Sequence, residues 1–111
     1  MHNWAEKFDA SITVVDKGLV ILEMNEKAMA TFEKYGSNAL IGKNLKDCHA
    51  QRSMEIMARI LETGEPHTYT IDKGGIKKIV HQAPWKENGA IAGLVEISFE
   101  IPTEMEHFVR G

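Results

Sequence analysis

One cysteine in 111 residues leaves no partner for a disulfide within the chain. A disulfide scaffold is therefore excluded, and a reducing compartment is favoured. The chain also lacks a basic excess: 13 Lys and Arg face 16 Asp and Glu, for a formal charge of −3. A nucleic-acid partner gets no electrostatic support from that balance. Long apolar runs are missing too. The longest are broken by Gly, Lys or Glu, and none approaches the roughly 20 apolar residues of a membrane span. Polar and charged residues fill the N-terminus, Met1-His2-Asn3-Trp4-Ala5-Glu6-Lys7, where a signal peptide needs an apolar core. The reading is a cytoplasmic protein with neither a membrane nor a nucleic acid as partner. The composition itself, 43% hydrophobic and 26% charged, is that of a globular chain with room for one domain.

Punctuation divides the chain. Ser11–Asp16 is short and rich in β-branched residues, and reads as a strand. Asp16-Lys17-Gly18 is turn chemistry, with Gly18 free to take positive φ, and Leu19–Met24 returns as a second strand. Asn25 is the expected N-cap of a helix running to Tyr35, with Ala28, Met29 and Phe32 at helical spacing and Gly36 as the stop. A second helix spans about Gln51–Glu62, with Met54, Met57 and Leu61 in one stripe and Gly64 as its end. After Pro66 the period becomes two. His67–Lys73 and Ile76–Trp85 are joined by Gly74-Gly75, and Asn88-Gly89 turns the chain into a last strand ending at Pro102. The order ββ, helices, βββ predicts an α+β fold with the helices packed on one face of an antiparallel sheet.

These marks together resemble the PAS sensory domain family. Val14-Val15-Asp16-Lys17-Gly18, Ile21 and Asn25-Glu26-Lys27-Ala28 look like its opening hairpin and first helix. Leu40-Ile41-Gly42-Lys43-Asn44-Leu45 looks like the step before its long helix, and Leu61-Glu62-Thr63-Gly64-Glu65-Pro66 like the exit from it. Pro84, Asn88-Gly89 and Gly93 look like its final hairpin. The resemblance implies a five-stranded antiparallel sheet folded around a pocket whose other wall is helical. It divides the chain into a flanking helix (1–8), a PAS-like domain (9–101) and a tail (102–111). Members bind haem, flavin, small metabolites or nothing, and many dimerise. Members within larger signalling proteins often end in Asp-Ile-Thr and a coupling helix. Here Glu100-Ile101-Pro102-Thr103 stands in that place, so the chain is read as a stand-alone sensor or as a fragment.

Chemistry-bearing residues are few. Cys48-His49 is the most reactive pair by composition, but adjacent helical residues point about 100° apart, and a thiol needs a base within hydrogen-bond reach. No catalytic residue is expected, and the protein is read as a non-enzyme. The five histidines (2, 49, 67, 81 and 107) lack metal-ligand spacing, so no metal site is expected. The family's flavin photosensors carry Asn-Cys-Arg-Phe-Leu-Gln. Asn44-Leu45-Lys46-Asp47-Cys48-His49 departs from it, so flavin is disfavoured. Haem remains as an alternative, with His49 as the axial ligand. His81 shares a strand face with Ile79, Ala83 and Trp85, and Tyr69 has a comparable position. The expected pocket residues are Met54, Met57, His81, Trp85 and Ile97, with His49 at the rim. Trp4 and Phe8, four residues apart, are the expected homodimer contact. The expected function is regulation by ligand or partner binding, through a conformational or dimer shift; a ligand-free dimerisation module is the other alternative.

Overall fold

The computed structural model describes residues 1–32, 40–47 and 50–111. A five-stranded antiparallel sheet forms the frame. Its strands are β1 (Ser11–Asp16), β2 (Ile21–Met24), β3 (His67–Lys73), β4 (Ile76–Glu87) and β5 (Ala90–Glu100). Their spatial order is β2-β1-β5-β4-β3. Helices α1 (Asn3–Glu6), α2 (Glu26–Thr31) and α3 (Gln51–Thr63) complete the fold, with a short 3-10 turn at Leu45–Asp47. The expected α+β architecture is therefore present. The predicted continuation of α2 to Tyr35, and the Cys48-His49 pair, lie outside the described residues.

Local chemistry sets each boundary. Gly74-Gly75 and Asn88-Gly89 all take positive φ, the conformation that a two-residue hairpin turn demands. Gly64 ends α3 in the left-handed region, and its N–H donates to the Ile60 carbonyl. The first hairpin differs from expectation. Gly18 does not take positive φ; Leu19 does, at 67°. Asp16 explains the exchange. Its Oδ1 accepts from the N–H groups of Gly18 and Val20, and that loop closure carries the left-handed turn one residue further on. Leu19 still reaches the core, so its burial offsets a strained backbone.

Asn25 caps α2 and does more. Its Oδ1 accepts from Ala28 N–H and Ile12 N–H, while its Nδ2 donates to the carbonyls of Ala5 and Ala10. It is 0% exposed, so one fully satisfied buried amide ties α1, β1 and α2 together.

The core lies between the sheet and the helices. Val15, Ile21, Met24 and Leu94 supply the sheet side, with Ala28 from α2 and Met57 and Ile60 from α3. Gly93 permits the close approach of β5 to β1. A Cβ there would lie 1.9 Å from the Val15 carbonyl oxygen and 2.6 Å from Trp85 Nε1. That indole donates to the same carbonyl at 2.9 Å, so Trp85 lies against the strand pair where a side chain on Gly93 would otherwise stand.

Candidate functional site

The register of β1, β5, β4 and β3 sets one rung of residues in line across the sheet. Thr13 pairs with Glu96, Glu96 with Gln82, and Gln82 with His67. Alternate strand positions share a face. Val15 and Leu94, two positions away from Thr13 and Glu96, are core residues packed with α3, so the polar rung faces the helices as well. Gln82 is 3% exposed and Thr13 is buried. Beside the rung a cavity of about 120 Å³ opens between α3 and the sheet, lined by Ser53, Ile56, His67, Tyr69 and Gln82. The His67 and Tyr69 rings lie 5.1 Å apart, centroid to centroid, at the open side of this cleft.

Electrostatics mark the rung as unusual. Burial pushes the Glu96 carboxyl above its ordinary value, because a carboxylate loses hydration there; hydrogen bonding to Gln82 acts in the opposite sense. Tyr69 is pushed up as well, first by burial and then by the negative charge of Glu96. By contrast, the Asp9–Lys27 ion pair on the surface lowers the aspartate and raises the lysine, chiefly through their mutual hydrogen bond. Among the described residues no three His, Cys, Asp or Glu side chains gather in a way that could hold a metal ion.

The structure divides the residues expected from sequence. Met57 is fully buried in the core under the sheet, and Met54 packs against it from the same helix. Those two lie on the pocket side. His81, Trp85 and Ile97 do not. They share one face, as the pairing of His81 with Ile97 and of Trp85 with Gly93 shows, but it is the face turned away from α3. His81 is exposed, and its Nδ1 lies 2.7 Å from Thr68 Oγ1. The apolar set Val95, Ile97 and Phe99 thus lies outside, while Glu96 and Ser98 lie inside. An apolar stripe was a misleading guide here because the outer face also carries apolar groups. His49 lies outside the described residues.

Trp4 and Phe8 are 69% and 53% exposed, and their rings meet edge to face with centroids 6.3 Å apart. Helix α1 ends at Glu6, so Phe8 reaches Trp4 from beyond the helix rather than along it. The Met1 amine lies 3.1 Å from Glu23 Oε1, which sets the N-terminal segment on the outer side of β2. A wider groove of about 510 Å³ runs between the β3–β4 turn and the C-terminal segment. Ile76 and Met105 in its walls are solvent-exposed, whereas the cleft at α3 is lined by the buried amide of Gln82 and is the better candidate site.

Sequence reasoning missed Glu96, Gln82, Ser53 and Ile56. The available signal was the alternation Leu94, Glu96, Ser98, which continues a core position directly into polar ones. No helix among the described residues is long and apolar enough to cross a membrane.

Solved structures of the same architecture are numerous. The PAS domain of histidine kinase ThkA is 19% identical, with a TM-score of 0.69, over 81% of this chain and 97% of that one. The Aer2 receptor from Vibrio cholerae, described as a dual PAS-heme oxygen sensor, is 17% identical, with a TM-score of 0.66, over 84% of this chain and 95% of that one. VqmA bound to DPO is 18% identical, with a TM-score of 0.67, over 88% of this chain and 55% of that one. No curated protein matches the sequence. The family model described as PAS fold matches residues 5–104, nearly the whole chain, and the chain belongs to that family.

Proposed function

We propose that this PAS domain is a sensor that binds a small ligand in the cleft between α3 and the inner face of β3, β4 and β5. The observation that supports this reading is the polar rung Thr13–Glu96–Gln82–His67, whose Gln82 and His67 line a cavity together with Ser53, Tyr69 and the apolar Ile56. Sequestering polar groups costs free energy, and a few of them set in an apolar cleft is the pattern by which proteins orient small molecules. We read the chemistry of the site as binding. Related folds that hold haem or DPO, in Aer2 and VqmA, are in keeping with a ligand-binding role.

Output follows from differential affinity. A ligand that favours one arrangement of α3 on the sheet shifts the population toward it. The outer face is the surface on which that shift can be read, since Phe99 is 47% exposed there and Trp4 and Phe8 are exposed beside it. We place a homodimer or a partner protein on this face, with Trp4 and Phe8 as its aromatic anchors, and the protein in the reducing cytoplasm.

Native mass spectrometry of gently purified protein tests both parts. The expected spectrum shows a small bound mass that is lost in Gln82→Leu, and a dimer weakened in Trp4→Ala. An empty protein in which no compound of a metabolite set shifts the resonances of Ile56, Met57 or Gln82 would sink the sensor reading. A dimer unaffected by Trp4→Ala would remove the interface.

A further inference from the structure

The two edge strands of the sheet end differently. β2 is covered. Its Ile21 N–H donates to the Lys43 carbonyl, and its Ile21 carbonyl accepts from Gly42 N–H. Beside it the Leu19 carbonyl accepts from Leu45 N–H, and Val20 bridges Asn44. β3 closes the other side of the order β2-β1-β5-β4-β3. Among the described residues no backbone group bonds its far side. None of its seven residues is buried. An open edge is a template for another strand, and proteins blunt such edges with proline, bulges or charges. His67–Lys73 contains no proline, and it pairs with β4 without the bulges that interrupt β1–β2 and β4–β5. Its charged residues, Asp72 and Lys73, stand together at one end.

Hairpin geometry fixes which backbone groups are free. Gly74 and Gly75 both take positive φ, so Lys73 and Ile76 close the ladder as a hydrogen-bonded pair. Bonded and non-bonded pairs then alternate, and Thr68, Thr70 and Asp72 turn their N–H and C=O groups away from β4. Lys77, opposite Asp72, agrees: its carbonyl accepts from Ile101 N–H on the β5 side. The strand is also complementary to itself. An antiparallel copy centred on Thr70 is the register that pairs all seven residues. It sets Thr70 opposite Thr70, Tyr69 opposite Ile71, Thr68 opposite Asp72 and His67 opposite Lys73. Thr–Thr and aromatic–β-branched pairs are favourable cross-strand neighbours. In this register the free groups of Thr68, Thr70 and Asp72 meet one another, for about six backbone hydrogen bonds.

We propose that two copies of this chain pair antiparallel through β3, about a two-fold axis at Thr70, and join their sheets into one. Each copy presents the same strand to the other, so the contact closes on itself. Tyr69 lines the cleft at α3, and the partner's Ile71 adds an apolar wall at its open side. The pairing itself does not depend on the reading of that cleft as a ligand site. It also leaves Trp4 and Phe8 free, because the N-terminal segment lies by β2 at the opposite edge. A seven-residue edge is small beside the roughly 1,200 Å² that a stable interface buries, so the dimer is weak and depends on concentration.

Sedimentation velocity and NMR amide exchange on the full chain, from micromolar to millimolar protein, test the pairing. The expected result is a dimer that grows with concentration while exchange slows at Thr68, Thr70 and Asp72. Thr70 is exposed, so charge can be placed on the axis without disturbing the core. Thr70→Glu sets two carboxylates opposite each other, with an Asp72 on each diagonal, and is expected to weaken the dimer at least tenfold. Mixing Thr70→Glu with Thr70→Lys in equal amounts should restore it, and an unchanged thermal midpoint shows that both variants fold. A dimer lost in Trp4→Ala but kept in Thr70→Glu is the outer-face contact alone and overturns the edge pairing. A mixture that fails to restore the dimer overturns the register at Thr70. A monomer at every concentration overturns the proposal and leaves the edge to a strand from another protein.

Discussion

Two neighbouring rungs of the same sheet behave in opposite ways. Val15 and Leu94 stand opposite each other and pack with Met57 and Ile60 into the core. Two residues along each strand, Thr13 and Glu96 stand opposite each other, and the sheet continues through Gln82 to His67. The two rungs share the same strands and the same helix above them. The first is filled by aliphatic groups; the second carries a carboxyl and an amide beside open volume. One rung therefore holds the fold, and the other borders the cleft proposed as the ligand site. The contrast teaches that the inner face of this sheet is not a uniform core.

The largest expected effect breaks the first rung. Leu94→Ala removes a fully buried side chain and leaves a cavity, at a cost of about 3–5 kcal/mol. Urea denaturation would show it as a fall in midpoint. A smaller change distinguishes the second rung. Glu96→Leu replaces a carboxyl in a desolvated position with an apolar group, and should leave stability unchanged or raise it by about 1 kcal/mol. A loss as large as that of Leu94→Ala would show that both rungs serve the core alike.

The pH dependence sharpens the same contrast. Burial raises the Glu96 carboxyl in the folded state above its ordinary value of 4.5. The folded protein then binds more protons than the unfolded chain across that window. The stabilisation is complete below the unfolded value and is lost as pH rises through the folded one. Wild-type stability should therefore fall relative to Glu96→Gln as pH climbs from about 4.5 upward. Thermal melts of both proteins in matched buffers would check this, and parallel curves would contradict it. The smallest effect is expected on the other face. His81→Ala should change stability by less than about 0.5 kcal/mol and leave ligand titrations unaltered, because its partner is Thr68 on the outer side. A lost ligand response in that variant would move the site across the sheet.

The elements were largely legible in the sequence. Turn residues at Gly74-Gly75 and Asn88-Gly89, the stop at Gly64 and the cap at Asn25 are local chemistry, and each acts where the pattern placed it. The faces were not legible. Period two separates a strand's residues into two sets without stating which set turns inward. Val95, Ile97 and Phe99 form the longer apolar set, and they face out. The polar pair was hidden by a further device. A regular Asn88-Gly89 hairpin, continuing the Glu87–Ala90 pairing, would set Gln82 opposite Val95. A bulge between Trp85 and Lys86 advances the register by one residue, and Gln82 meets Glu96 instead. Nothing in the residue order announces that insertion. The left-handed Leu19 was hidden for a similar reason, since the Asp16 side chain rather than Gly18 determines where the turn bends.

Asn25 has a consequence for how the molecule opens. Ile12 N–H and Ala28 N–H, from a strand and a helix, share its single oxygen, while carbonyls of Ala5 and Ala10 hold its nitrogen. Withdrawing that side chain takes the partner from the Ile12 and Ala28 N–H groups at once, while the Ala5 carbonyl keeps the Phe8 N–H. The start of β1 and the start of α2 therefore lose protection in one concerted event rather than fraying separately. Amide hydrogen exchange at Ile12 and Ala28 should report one common opening free energy.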